Sequence, residues 1–133
     1  MDERMVALAR ACLDGALAGT MTFPAIVGQL IQAGFDGYLV DFRRAATTYY
    51  LPDGDSADLP MHVPAVPVAV LFDAARVREA IREAQQQLAG YSYVGFCDKV
   101  AAAGCAGYLV SLSGRRVLYF GRSGETHTEH FPN

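Results

Sequence analysis

The chain has 133 residues, 52% hydrophobic and 19% charged, with a net charge of −3. One domain of this size buries about two thirds of its unfolded surface without staples, and the hydrophobicity excludes intrinsic disorder. The acidic balance argues against general nucleic-acid binding, and no apolar run reaches the roughly 20 residues of a membrane helix.

Val6, Ala9, Leu13 and Leu17 recur at helical spacing and predict a first helix. A second begins after Thr22, a good N-cap, with Pro24 in its first turn, where the missing N–H costs nothing. Ile26, Val27, Leu30 and Ile31 form its apolar face, and Gly34 closes it as a left-handed C-cap. The run Tyr38–Arg43 alternates: Tyr38, Val40 and Phe42 share one face, and Leu39, Asp41 and Arg43 the other. Arg44-Ala45 serves as a turn. Leu51 to Pro67, with four prolines and several acids, reads as a partly extended connecting loop. Val68–Phe72 reads as a buried strand.

Asp73 then caps a helix carrying Val77, Ile81, Ala84 and Leu88, with Gly90 as its stop. Ser92 caps another, with Phe96, Cys97, Val100 and Ala101 as its apolar face and Gly104 as its end. Tyr108, Val110 and Leu112 alternate with Leu109, Ser111 and Ser113. Ser113-Gly114 turns into a strand over Arg116–Phe120, and Gly121–Gly124 turns into a third strand over Glu125–Phe131.

A shift of 70 residues lays the chain on itself: Thr22–Asp55 falls on Ser92–Glu125 without a gap, with eight identities in 34 positions. Six of them lie between Ala33 and Val40, including Gly34/Gly104, Gly37/Gly107 and Leu39/Leu109. With one residue of slippage Val6, Ala9, Leu17 and Gly19 meet Val77, Ala80, Leu88 and Gly90. Two copies are too few for a solenoid. The expected fold is one α+β domain over residues 1–133, built from two pseudo-symmetric α-α-β-β repeats (1–63 and 71–133) that form one antiparallel sheet with helices packed on one face.

Chemistry-bearing residues are few. Glu125, His127 and Glu129 share one side of the last predicted strand and could bind a divalent metal. A polar edge strand that resists pairing with other chains accounts for them better, so no metal and no cofactor is expected. His62 stands alone in the proline-rich loop and reads as solvated. Asp41 and Arg43 could orient a polar ligand or accept a proton, against a plain surface ion pair. The hairpin tyrosines, Tyr49, Tyr50 and Tyr119 among them, read as cross-strand packing or, alternatively, as an aromatic-lined groove. Arg115, Arg116 and Arg122 gather near the second hairpin. Residues 1–70 carry eight acids and four bases, and residues 71–133 six acids and seven bases. This sign difference could favour pairing of unlike halves between chains.

The acidic start Met1-Asp2-Glu3-Arg4 lacks the basic region of a secretory signal. Cys12, Cys97 and Cys105 are an odd set without CxxC spacing. Both features point to a cytoplasmic protein. Cys97 reads as buried packing, and nothing near Cys105 would clearly lower its pKa. No Gly-x-Ser-x-Gly, phosphate-binding loop or dinucleotide fingerprint is present.

The segments Thr22-Phe23-Pro24, Ala33-Gly34, Gly37–Phe42, Thr48-Tyr49-Tyr50 and Asp53-Gly54 resemble the YbcV-like family of uncharacterised bacterial proteins, members of which are labelled phage envelope proteins. So do Phe72-Asp73, Ala103-Gly104, Gly107-Tyr108, Tyr119, Gly124-Glu125 and Phe131-Pro132. These are structural motifs, and the resemblance implies no catalytic residue. The functional expectation is a non-enzymatic binding or interaction module. It pairs with itself, as a homodimer for example, and has neither nucleic acid nor membrane as partner. The alternative is a small enzyme or small-ligand-binding protein with its site on the sheet face near Asp41, Arg43, Tyr49, Tyr50 and Tyr119.

Overall fold

Four short polar side chains start the helices. Asp2, Thr22, Asp73 and Ser92 each accept a hydrogen bond from the amide three residues on, satisfying one of the donors that a helix start leaves unpaired. In the computed structural model, which describes residues 1–132, they open α1 (Glu3–Ala18), α2 (Phe23–Ala33), α3 (Ala74–Gln86) and α4 (Tyr93–Ala102). Gly34 and Gly104 both lie in the left-handed region, at φ of 96° and 93°, as the sequence predicts. The end of α3 does not follow the prediction. Three glutamines succeed Ala84 and leave nothing apolar to hold a further turn, so Gln87 closes the helix in the left-handed region (φ 50°). Leu88 therefore lies outside the helix and is exposed. Gly90 shapes the turn before α4 instead of ending α3.

Six strands form one antiparallel sheet in the order β3-β2-β1-β4-β5-β6. They are β1 (Gly37–Asp41), β2 (Ala46–Tyr50), β3 (Ser56–Pro60), β4 (Cys105–Ser111), β5 (Arg116–Gly121) and β6 (Thr126–His130). The fold is α+β, and the order α-α-β-β-β runs twice along the chain. The first half thus has one strand more than the sequence reading gave it. The extra strand, β3, comes from the proline-rich connection. It pairs with β2 and drops Leu59 into the core, while Pro60 takes the last position of an edge strand, where a missing N–H is tolerated.

Conversely, Val68–Phe72 is not a strand. Val68 and Phe72 are buried but Val70 and Leu71 are exposed. The backbone partners of this stretch are at the end of α4: the Ala69 amide donates to Ala101 and the Asp73 amide to Ala103. The strand predicted to run to Arg43 stops at Asp41, and Phe42–Ala45 forms the hairpin turn. In the two hairpin turns the left-handed residues are Ala45 and Arg115, not Gly114. Gly114 serves by close approach instead: a Cβ there would lie 2.7 Å from Ser111 Oγ.

Alternation sorts the two faces as expected. Tyr38, Val40, Phe42, Tyr108, Val110 and Leu112 are all buried, in one cluster with Cys12 and Leu13 of α1, Leu30 of α2, Val77 of α3 and Val100 of α4. Tyr38 packs on Tyr49 and Tyr108 on Tyr119, each pair with ring centroids 5.3 Å apart. Such pairs contribute roughly 0.5–1.5 kcal/mol each beyond their buried area.

Candidate functional site

Directly paired residues of an antiparallel sheet point to the same face. The registers therefore align Asp58, Thr48, Leu39, Leu109, Leu118 and Thr128 in one row across all six strands. The row lies on the face opposite the tyrosine-lined core. Leu109 is 38% exposed, and Leu39 and Leu118 are half-buried. None of the three belongs to the core cluster or packs against it. The neighbouring rows add Tyr50 and Arg116 on one side and Asp41 and Phe120 on the other. The result is an apolar centre on an open sheet face. Asp41 and Asp58 lie on the β1–β3 wing, and Arg116 and His130 on the β4–β6 wing.

The five site residues expected from sequence do not converge. Asp41 and Tyr50 are on the open face. Tyr49 and Tyr119, 2% and 7% exposed, are in the core on the opposite face, where burial raises both phenol pKa values well above their usual range. Arg43 is in the turn, and its amide rather than its guanidinium meets Asp41. The Asp41 carboxylate accepts hydrogen bonds from the amides of Arg43 and Arg44 at 3.0 and 3.1 Å. Ser111, 70 residues on, does the same for the amide of Gly114 at 2.9 Å. Asp and Ser both suit this task because their short side chains can bond the backbone of a following turn.

A family profile described as a protein of unknown function (DUF1398) matches residues 10–129. The chain belongs to the DUF1398 family. The match starts within α1 and ends within β6, so it includes the whole open face except His130. No curated protein matches the chain.

The metal-like triplet of this DUF1398 chain is dispersed. Glu125 precedes β6 and accepts a hydrogen bond from Ser123 at 2.9 Å. His127 and Glu129 point to the core side, opposite Tyr119 and Val117. They pair with each other at 2.5 Å, and Gln85 of α3 donates to Glu129. Among the described residues no group of three or more His, Cys, Asp and Glu is placed to hold a metal ion. β6 is an edge strand of the sheet.

His62 is not solvated alone. Its Nε2 lies 2.9 Å from Asp98 Oδ1 on α4, and the same oxygen accepts from the Ala65 amide at 2.8 Å. Partial burial pushes the Asp98 carboxyl up. The hydrogen bonds from His62 and Ala65 and the attraction of the His62 ring outweigh this and hold it below its usual value. The pair pins the connection after β3 onto α4, a contact invisible in sequence because 36 residues separate the partners.

All three cysteines are buried and free. Burial pushes Cys97 up to about 12 and Cys105 up to about 11, so neither supplies a thiolate nucleophile near neutral pH. Arg115 lies over the Phe131 ring and Arg122 donates to the Val68 carbonyl; Arg116, whose Nε donates to the Gly114 carbonyl at 3.1 Å, is on the open face by its register opposite Ser111 and His130. Sequence alternation did place Leu39 and Leu109 together on the second face. It could not show that β1 and β4 are neighbours, and that pairing is what turns scattered leucines into a strip.

Proposed function

We propose that this DUF1398 chain is a non-enzymatic interaction module that binds through the open face of its sheet. The observation that carries this reading is the leucine strip Leu39–Leu109–Leu118, left uncovered while the helices contribute to the core on the other face. Apolar area rimmed by polar groups is the composition of a binding surface. The chemistry-bearing side chains have structural duties that support the same reading. Asp41 caps a turn, Tyr49 and Tyr119 pack the core, and the thiols are held protonated. Free, buried cysteines also fit a cytoplasmic protein, and among the described residues no helix is long and apolar enough to cross a membrane. We further place the chain with the YbcV-like members on the motifs quoted above, a grouping that names no activity.

Methyl NMR of the dilute chain, titrated with a library of small fragments and short peptides, tests this reading. Shifts centred on Leu39, Leu109 and Leu118 are the expected result. Shifts confined to the cleft between α3 and α4, lined by Glu83, Leu88, Tyr91 and Lys99, would move the site elsewhere. Catalytic turnover of a fragment held by Asp41 and Tyr50 would replace the reading with the small-enzyme alternative.

A further inference from the structure

We infer that the open face binds a second copy of this chain, face to face, with each β1–β3 wing lying over the partner's β4–β6 wing. This rests on the proposed interaction face and names its occupant. Sheets pack face to face with their strands within about 30° of parallel. Two symmetric ways of stacking this face then remain, and charge decides between them.

With the two-fold axis across the strands, each wing would cover its own kind. Asp58, at the outer end of the central row, would then meet Asp58 of the partner subunit. Like charges so placed disfavour association. With the axis along the strands, the wings cross. The acid-bearing wing, with Asp41 and Asp58, then covers the wing that carries Arg116 and His130. Leu39 comes over the partner's Leu109, and Tyr50 over the partner's Arg116. The second pairing sets a guanidinium against a tyrosine ring. Arg44 pairs with Asp58 at 3.3 Å, but both are more than half exposed on their side chains and give up little when they rearrange.

The extent of the face puts the interface in the small, transient class. Six strands about 4.8 Å apart and about five residues long give a footprint of about 400 Å² per copy before side-chain relief is added. Standard interfaces bury about 800 Å² per partner. The dimer is therefore reversible, with a Kd between roughly 10 μM and 1 mM.

Sedimentation equilibrium of the full chain from about 5 μM to about 1 mM spans that range. The mass should rise from monomer to dimer with concentration, and Leu109→Arg should hold it at monomer. If Leu109→Arg fails to fold by circular dichroism, Leu109→Thr, which puts a polar residue of good strand propensity at that position, should weaken the dimer at least about tenfold, about 1.4 kcal/mol. Arg116→Glu and Asp58→Lys, each alone, should weaken it by a similar factor. An equimolar mixture of those two variants should associate more tightly than either variant alone, because it restores opposite charge on facing wings. In the mixed dimer the crossed wings bring the introduced lysine onto the wing that carries the introduced glutamate, one strand and two residues from it, and keep the native aspartate and arginine in the same relation on the other side. A monomer at every concentration, a dimer indifferent to residue 109, or a mixture no better than its components would each overturn this inference. A strict monomer whose Leu39 and Leu109 methyls still respond to other ligands would overturn the second copy alone and leave the proposed function standing. A strict monomer whose open-face methyls respond to nothing would remove both.

Discussion

Asp41 shows how a residue that looks chemical in sequence can be spent on the backbone. Its carboxylate holds two turn amides, so Asp41→Ala should cost about 1 kcal/mol in urea unfolding, in line with the loss of a local side-chain-to-backbone cap. Asp41→Ser should recover most of it, since Ser111 does the same work in the other hairpin. A carboxylate needed for binding or proton transfer would not be rescued by serine in a ligand assay. Asp98 contributes to the acid sensitivity together with Asp55 and Asp58, whose carboxyls are held down by the N-terminal ammonium and by Thr48 and Arg44. The Asp98 carboxyl sits below the usual 3.8, so its contribution is complete above that value and is lost as pH falls through the lower folded value. Stability measured from pH 6 down to about pH 2 should therefore fall, and Asp98→Asn should make that limb shallower while lowering stability at neutral pH, with the remainder carried by Asp55 and Asp58. An unchanged acid limb in Asp98→Asn would show that other carboxylates carry it.

Elements with matching sequence signals carry unequal loads. Gly34 and Gly104 both follow a helix in the left-handed region, where a Cβ costs about 1 kcal/mol. Beyond that, a Cβ on Gly34 meets open space, whereas on Gly104 it would lie 2.0 Å from the Leu71 carbonyl oxygen. Gly34→Ala should therefore lower stability by about 1 kcal/mol, and Gly104→Ala by about 3 kcal/mol or more, because backbone must move to admit the methyl. Equal losses in chemical denaturation would mean that the connection through Leu71 yields easily. The last strand offers a second check. His127 is bound to Glu129, and Glu125 is turned to Ser123, so chelator should leave the melting temperature unchanged. A drop reversed by zinc would show that these side chains rearrange around an ion.

At the level of the molecule, the two faces of the sheet should respond differently to the same chemistry. Leu30 is fully buried between helices and sheet, and Leu30→Ala should cost about 2–5 kcal/mol through lost transfer energy and a residual cavity. Leu118 lies half-buried on the open face, and Leu118→Ala should cost under about 1 kcal/mol in the monomer. The same change should weaken self-association in the sedimentation experiment. That split, stable fold with lost partner, separates an interaction face from a core face. A large loss of monomer stability at Leu118 would mean that this face is covered within the chain.

Local chemistry alone was enough for the helix starts at Thr22, Asp73 and Ser92, for the left-handed glycines after α2 and α4, and for the division of Tyr38, Val40 and Phe42 from Leu39 and Asp41. Caps, Cβ sterics and period-two alternation act within a few residues, so they can be read without knowing the fold. The elements that failed that reading depend on distant partners. β3 exists because β2 offers it a ladder, despite its proline. Val68–Phe72 is no strand because α4 takes its hydrogen bonds. His62 is anchored because Asp98 lies beneath the connection. The candidate site belongs with these: Leu39, Leu109 and Leu118 are 70 and nine residues apart along the chain. They become one strip only when β1 pairs with β4 and the helices and the two central hairpins build their core on the other face.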